Sequence, residues 1–208
     1  AEKGSFNSNI IKFDEAVRQT IDMASNAYKN EEGIVGVPTG LTELDNRLGG
    51  LHKSDLLIIA GRPSMGKTAL ATNIAFNAAR KIQEEEKKSC VAFFSLEMSS
   101  EQLATRVLAQ ESKISGDKMR KAELNKEDFK KIAKTSSDLE KLNLIIDDNP
   151  ILTIPTLRAR SRRLKRLYDI DLIIIDYLQL MSGSTNFRND GRVQEISEIT
   201  RGLKAIAK

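Results

Sequence analysis

The chain has one cysteine, one histidine, four prolines and no tryptophan in 208 residues. A lone thiol, Cys90, cannot close an internal disulfide, and a lone imidazole, His52, leaves no zinc cluster to assemble. Cys90 opens an apolar run and reads as a packing residue. Aromatics make up only 5% of the chain, too few for a stacking platform that would read bases. No apolar run approaches the roughly 20 residues that cross a bilayer. Ala1-Glu2-Lys3-Gly4 also lacks the apolar region of a signal peptide, so a cytoplasmic location and no membrane partner are expected. Excess charge is scarce too: 33 basic residues against 29 acidic leave a net +4, which permits a nucleic-acid partner without demanding one. What remains, 40% hydrophobic residues, suffices for one sizeable core with an appendage.

Against that background, Gly61-Arg62-Pro63-Ser64-Met65-Gly66-Lys67-Thr68 matches every fixed position of the P-loop pattern. The apolar run Leu56 to Ala60 before it reads as a buried parallel strand, and Ala69 to Lys81 after it reads as a helix. In a strand–loop–helix unit of this kind the loop N–H groups face phosphate oxygens, backed by the positive end of the helix dipole. The nucleotide-binding set is therefore Gly61, Arg62, Pro63, Ser64, Met65, Gly66, Lys67, Thr68 and Ala69. Lys67 reaches the β- and γ-phosphates, and Thr68 offers its hydroxyl to Mg²⁺. The bland alternative, a chance Gly-Lys-Thr turn before an ordinary helix, does not account for the flanking strand and helix.

Apolar residues at Ile10, Phe13, Val17, Ile21, Ala24 and Tyr28 give Ile10 to Asn30 the spacing of an amphipathic helix. Glu31-Glu32-Gly33 ends it. A linker with Pro38 leads to a short helix, Leu41 to Leu48, capped by Gly49-Gly50. Strands are expected at Leu56 to Ala60, Val91 to Ser95, Leu142 to Asp147 and Leu172 to Asp176, with helices between them. That is an α/β domain, a parallel sheet with crossover helices, over residues 37–208, after a linker region over 1–36. The charged run Lys81 to Lys88 reads as a solvated helix end and loop.

Two carboxylates fall where a P-loop enzyme needs them. Leu172-Ile173-Ile174-Ile175-Asp176 places Asp176 at the carboxyl edge of the sheet, a Walker B pattern suited to hold Mg²⁺. Asp147, Asp148 and Asp171 also lie at strand ends, where an aspartate often only caps a turn or helix. Asp176 is preferred because its strand is the most apolar. Glu97, one strand after the P-loop helix, is placed to orient or deprotonate the water attacking the γ-phosphate. It reads equally well as an acid at the N-terminus of the next helix.

Thr39-Gly40-Leu41-Thr42-Glu43-Leu44-Asp45, the P-loop, Ser95-Leu96-Glu97-Met98 and Ile175-Asp176-Tyr177-Leu178-Gln179-Leu180 together resemble the C-terminal motor domain of the bacterial replicative DNA helicases, the DnaB family, over nearly the whole chain. Several RecA-like ATPases share the first two motifs; the last two are more telling. The resemblance implies a RecA-like P-loop NTPase fold with ATP and Mg²⁺ as cofactors. It implies that Glu97 is the catalytic glutamate, that Lys67 and Thr68 grip triphosphate and metal, that Asp176 is the Walker B acid, and that Arg106 lies near the nucleotide. By its own surroundings Arg106 reads equally well as a solvated helix-face arginine. The resemblance further implies a homo-oligomeric ring, a hexamer in the full-length protein, with ATP sites between subunits and with primase and a helicase loader as partners. The helix over 10–30 then looks like a linker helix docking on an adjacent subunit, the alternative being that it folds back on its own domain. Family members also carry a collar domain, a γ-phosphate-sensing glutamine, a second DNA loop and an arginine finger that are not in this sequence, so the chain reads as a fragment, weakly active or inactive by itself.

The polar loop Ser182 to Arg192 follows the Walker B strand, and the resemblance places such loops in a central channel. Arg188 and Arg192 would then contact single-stranded DNA through its phosphates, unless the segment is simply a surface loop. The cationic stretch Arg158 to Arg166 has the spacing of a solvated helix face. The expected function is an ATP-driven replicative helicase motor that translocates on single-stranded DNA and unwinds duplex at the fork. The alternatives are another RecA-like ATPase, of recombinase or clock type, and a nucleotide-binding assembly module without turnover.

Overall fold

The computed structural model describes residues 11–29, 34–182 and 192–208. Three parallel strands, β1 (Cys90–Ser95), β2 (Leu144–Asp147) and β3 (Ile170–Asp176), form a sheet in the order β2-β1-β3. Helices α1 (Phe13–Lys29), α2 (Thr42–Leu48) and α3 (Lys67–Glu84) precede β1. Helices α4 (Ser100–Ser112), α5 (Gly116–Arg120) and α6 (Lys126–Leu139) connect β1 to β2, α7 (Ile154–Tyr168) connects β2 to β3, and α8 (Arg192–Ala207) comes last.

The chain steps from β1 to one neighbour and then back across β1 to the other. Right-handed crossovers in opposite directions put their helices on opposite faces, and the packing follows that rule. Cys90, Ala92, Phe94 and Leu96 pack with Leu157 of α7 and with Ile199 and Leu203 of α8. Val91 and Phe93 pack with Ala75, Ala78 and Ala79 of α3 and Leu103 of α4. Because β1 is paired on both edges and covered on both faces, all six of its residues are buried. Cys90 is among them, and burial, followed by the nearby Asp171 and Asp169 carboxylates, pushes its thiol above the ordinary range.

The expected strand over Leu56 to Ala60 is not a strand here. The segment joins no ladder, and Leu57, Ile58 and Ile59 are 48%, 62% and 47% exposed. Its apolar composition suits a strand buried on both faces, but a strand exists only where a neighbouring backbone accepts its hydrogen bonds. The sheet ends at β3, whose second edge has no partner among the described residues. The sheet therefore has three strands where four were expected.

The short motif before the P-loop closes on itself. Asp45, 4% exposed, accepts hydrogen bonds from the Thr39 N–H and hydroxyl through Oδ1, both at 2.8 Å, and from the Gly40 N–H through Oδ2 at 3.0 Å. Asn77 of α3 donates to the Thr39 carbonyl at 3.0 Å, which ties this turn to the P-loop helix. Gly40 has φ +73°, and a Cβ there would lie 2.4 Å from Asn77 Nδ2. The Thr-Gly…Asp motif is thus a structural staple.

Helix α1 stands apart from this core. Phe13 (84%), Ile21 (62%) and Tyr28 (93%) leave its apolar stripe in the open, so it is not folded onto the rest of the described chain. Ile10, the first residue of the expected helix, lies outside the described residues, as does Asn30.

Candidate functional site

The P-loop geometry follows from two left-handed residues. Ser64 (φ 62°) and Gly66 (φ 84°) turn the chain back on itself, and the Met65 N–H donates to the Arg62 carbonyl. Gly66 is the N-cap of α3, with no side-chain cap and no acid in the first turn. The first-turn N–H groups and the positive helix end are therefore left for an anion. The Lys67 ammonium curls back over the loop and donates to the Gly61 and Arg62 carbonyls at 2.9 and 3.1 Å. Residues 61–66 are exposed, while Lys67, Thr68 and Ala69 are half-buried.

The carboxylates reach the same edge of the sheet. Helix α3 leads through a short turn into β1, so its N-terminus lies at the carboxyl end of that strand. The register sets Ser95 of β1 beside Asp176 of β3, and the Leu96 N–H donates to the Asp176 carbonyl at 2.7 Å. Asp176 is 4% exposed, and its Oδ2 has no hydrogen-bond partner. A buried, unpartnered carboxylate oxygen is costly alone; a hydrated Mg²⁺ would satisfy it, and the Thr68 hydroxyl is the matching hard donor. The residues present fit the ion. Among the described residues no group of three or more acidic, histidine or cysteine side chains is placed to hold a metal ion.

The Ser-Leu-Glu-Met segment has a clear division of labour. Ser95, 1% exposed, donates to the Met98 carbonyl at 2.7 Å and accepts from the Met98 N–H at 3.2 Å. Leu96 is buried in one core and Met98 packs against the other, which leaves Glu97 exposed at the tip of the turn. Glu97 lies ahead of Ser99, the N-cap of α4, which forms a capping box with Gln102. The acid in the first turn of α4 is Glu101, held below its ordinary range chiefly by the Ser99 hydroxyl.

Sequence reasoning treated Asp147 and Asp148 only as generic turn or helix caps. The structure gives each a distant partner. Asp148 accepts from the Ser100 N–H at 2.8 Å, which fixes the start of α4 and lowers the Asp148 pKa. Asp147 caps the turn by accepting from the Asn149 N–H at 3.2 Å, and it also accepts from Arg160 of α7 at 2.9 and 2.7 Å. Arg106 is exposed on α4. Arg188 lies outside the described residues. Arg192 opens α8, where it pairs with Glu195 and donates to the Gln179 carbonyl. An apolar cavity lined by Phe93, Leu103, Val107, Leu142 and Ile146 lies in the α3–α4 layer and includes none of these site residues. No helix among the described residues is long and apolar enough to cross a membrane.

Residues 36–208 match the family model for the DnaB-like helicase C-terminal domain. The whole chain is 44% identical to replicative DNA helicase DnaB of Rickettsia conorii (strain ATCC VR-613 / Malish 7), of which it covers 43%. It is also 44% identical, over 91% of its length, to the DnaB of Geobacillus stearothermophilus, of which it covers 40%. Among solved structures it is similar to the ATPase domain of G40P, with TM-score 0.84 and 30% identity over 96% of this chain and 68% of that one. A DnaB-like replicative helicase, described together with its interactions with primase, gives TM-score 0.78 and 30% identity over 96% of this chain and 46% of that one. The chain thus spans less than half the length of the curated relatives it matches.

Proposed function

The chain belongs to the DnaB-like helicase C-terminal domain family, and from that premise we propose that it is the ATP-hydrolysing motor of a replicative DNA helicase, comprising a linker over 1–36 and an ATPase domain over 37–208. The observation that carries this reading is the convergence of the uncapped N-terminus of α3, the unpartnered Asp176 Oδ2 and the exposed Glu97 at one edge of the sheet.

In this reading the backbone N–H groups of the loop between Gly61 and Ala69, all but Pro63, which has none, cradle the phosphates of ATP. Lys67 exchanges its two carbonyl partners for phosphate oxygens, since a charge-assisted contact to phosphate is the stronger one. Thr68 and Asp176 would hold Mg²⁺, which would neutralise charge on the triphosphate. Glu97 aligns the attacking water and accepts its proton, from a turn held rigid by Ser95. Arg106 contributes to the nucleotide surroundings from α4. Arg188 and Arg192 contact the phosphates of single-stranded DNA, Arg192 releasing its present partners to do so. The open stripe of α1 docks on a neighbouring subunit, so the working unit is a homo-oligomeric ring, a hexamer, that sits in the cytoplasm and engages primase and a helicase loader. The relatives named above are replicative helicases, which leaves the recombinase- and clock-type alternatives without support.

The test separates binding from turnover in the intact protein. Lys67→Ala should weaken binding of a fluorescent ATP analogue, whereas Glu97→Gln should retain binding and lose hydrolysis by 100-fold or more, on the order of general-base loss. Wild-type hydrolysis by Glu97→Gln would remove Glu97 from the mechanism.

A further inference from the structure

Helix α7 carries six cationic side chains, Arg158, Arg160, Arg162, Arg163, Lys165 and Arg166, and no acid, in a chain whose net charge is only +4. Two of the six are neutralised: Arg160 by Asp147 and Lys165 by Asp169. Arg158, Arg162, Arg163 and Arg166 are exposed and have no hydrogen-bond or ion-pair partner among the described residues. Buried Leu157 and Ser161 define the inner face of α7, and at 100° per residue the four free arginines fall together on the outer one. Helix stability does not explain them. Arg158, Arg162 and Arg166 repel one another at i, i+4 spacing. Arg158 also stands near the positive end of the dipole, and only Arg166 is in the last turn, where a cation is favoured.

We infer that this outer face of α7 is a second DNA-binding surface, which holds the phosphate backbone of a single strand on the layer opposite the P-loop helix. The proposal rests on the reading that the protein works on DNA. From Arg158 to Arg166 the helix rises about 12 Å, the axial reach of three to four phosphates of one strand. All four cations are arginines, whose planar fork pairs bidentately with phosphate. Pro155 and Ala159, the residues between them on this face, are small and let a backbone approach. Neither is the large apolar anchor on which a protein partner would build a hot spot. The apolar stripe of α7 through Ile154, Leu157 and Leu164 is packed in the core, and the apolar residues left exposed, Leu167 and Tyr168, sit only in its last turn, too few for an amphipathic face that lies in a membrane. Contact through phosphates alone predicts no sequence preference.

The test is fluorescence anisotropy of a labelled oligothymidine of about 20 residues, titrated with this chain across a salt series. With all four arginines changed to glutamine (R158Q, R162Q, R163Q and R166Q), the slope of log affinity against log salt should fall by about 2 to 3, at about 0.7 per phosphate contact. The double variant Arg158→Gln with Arg162→Gln should give about half that change. Binding of a fluorescent ATP analogue should not change, which reports an intact fold. Replacing the four with lysine should keep most of the slope and lose affinity several-fold. An unchanged slope in the glutamine variants, with wild type still binding, would overturn the α7 surface and leave the DNA reading standing. Absence of oligothymidine binding by the wild type would overturn both. Polyglutamate tests the other class of partner: if it binds as tightly as DNA, with the same dependence on the four arginines, the surface belongs to an acidic protein and the proposal fails.

Discussion

Replacing Asp45 should cost more stability than any other single change in the segment before the P-loop. The side chain is 4% exposed and accepts three hydrogen bonds, from the Thr39 N–H, the Thr39 hydroxyl and the Gly40 N–H. Hydrogen bonds to a charged acceptor contribute about 1.5–3 kcal/mol each, not additively, and donors left unsatisfied in a buried place carry a desolvation penalty as well. Asp45→Ala strands two backbone donors, and Thr39 is fully buried, so water cannot readily replace the carboxylate there. A loss of about 3–5 kcal/mol is expected, the range of broken buried networks. For a chain of this size that lowers the melting midpoint by roughly 6–20 °C. Asp45→Asn keeps an oxygen for Thr39 but turns an amide N–H toward the Gly40 N–H, so it should cost less, about 1–3 kcal/mol. Urea unfolding followed by circular dichroism measures both, with the midpoint shifting at constant slope. If Asp45→Ala lies within 1 kcal/mol of wild type, or is milder than Asp45→Asn, the staple is not what holds the turn.

Gly40→Ala should destabilise the same turn by at least about 1–2 kcal/mol from left-handed backbone strain alone, with the Asn77 clash in addition, measured by the same titration. Cys90, buried and with its thiol pKa raised by burial, should react with a disulfide reagent only as fast as the protein unfolds; rapid labelling under native conditions would contradict its placement. The Asp148 carboxyl is held below its ordinary value of 3.8 by the Ser100 N–H, so its contribution is present above that value and is lost as pH falls through the lower folded one. The stability gap between wild type and Asp148→Asn should therefore be constant near neutrality and close in acid, and a gap that widens in acid would reverse the assignment. Changing Arg188 and Arg192 to alanine should reduce the salt dependence of single-stranded DNA binding by roughly 1 to 1.5 in slope and spare ATP binding; an unchanged slope would remove the loop from the DNA surface.

Local signals in the sequence carried most of the architecture. The P-loop, the apolar strand around Phe93 and Phe94 and the strand ending at Asp176 each announce themselves within a few residues, because backbone turns and burial on both faces constrain composition locally. The helix after the P-loop begins at Lys67 rather than Ala69 and runs on to Glu84, a small extension of the expected span. The failures are all long-range. Leu56 to Ala60 has a strand's composition but joins no ladder, because a ladder requires a partner that composition cannot reveal. Asn77 bonding to Thr39, Arg160 to Asp147 and Ser100 to Asp148 join residues 38, 13 and 48 positions apart, and no periodicity signals such pairs. Glu97 left two readings open. Glu97 lies two residues ahead of Ser99, the N-cap of α4, in the turn that Ser95 closes onto Met98, a place compatible with both.

Phe93 and Phe94 are adjacent in the chain, but their rings sit in different compartments of the molecule. One is pressed against the P-loop helix layer, and the other against the layer of α7 and α8. Strand β1 therefore works as a partition wall, and each of its positions addresses a single room. A slightly smaller side chain at 93 would loosen the footing of the nucleotide loop, while the same change at 94 would be felt under the arginine-bearing helix. For protein engineering this means that the two surfaces can be softened independently by substitutions one residue apart. It also means that none of the apolar positions from Cys90 to Phe94 can carry a label or a polar group without intruding on one room or the other.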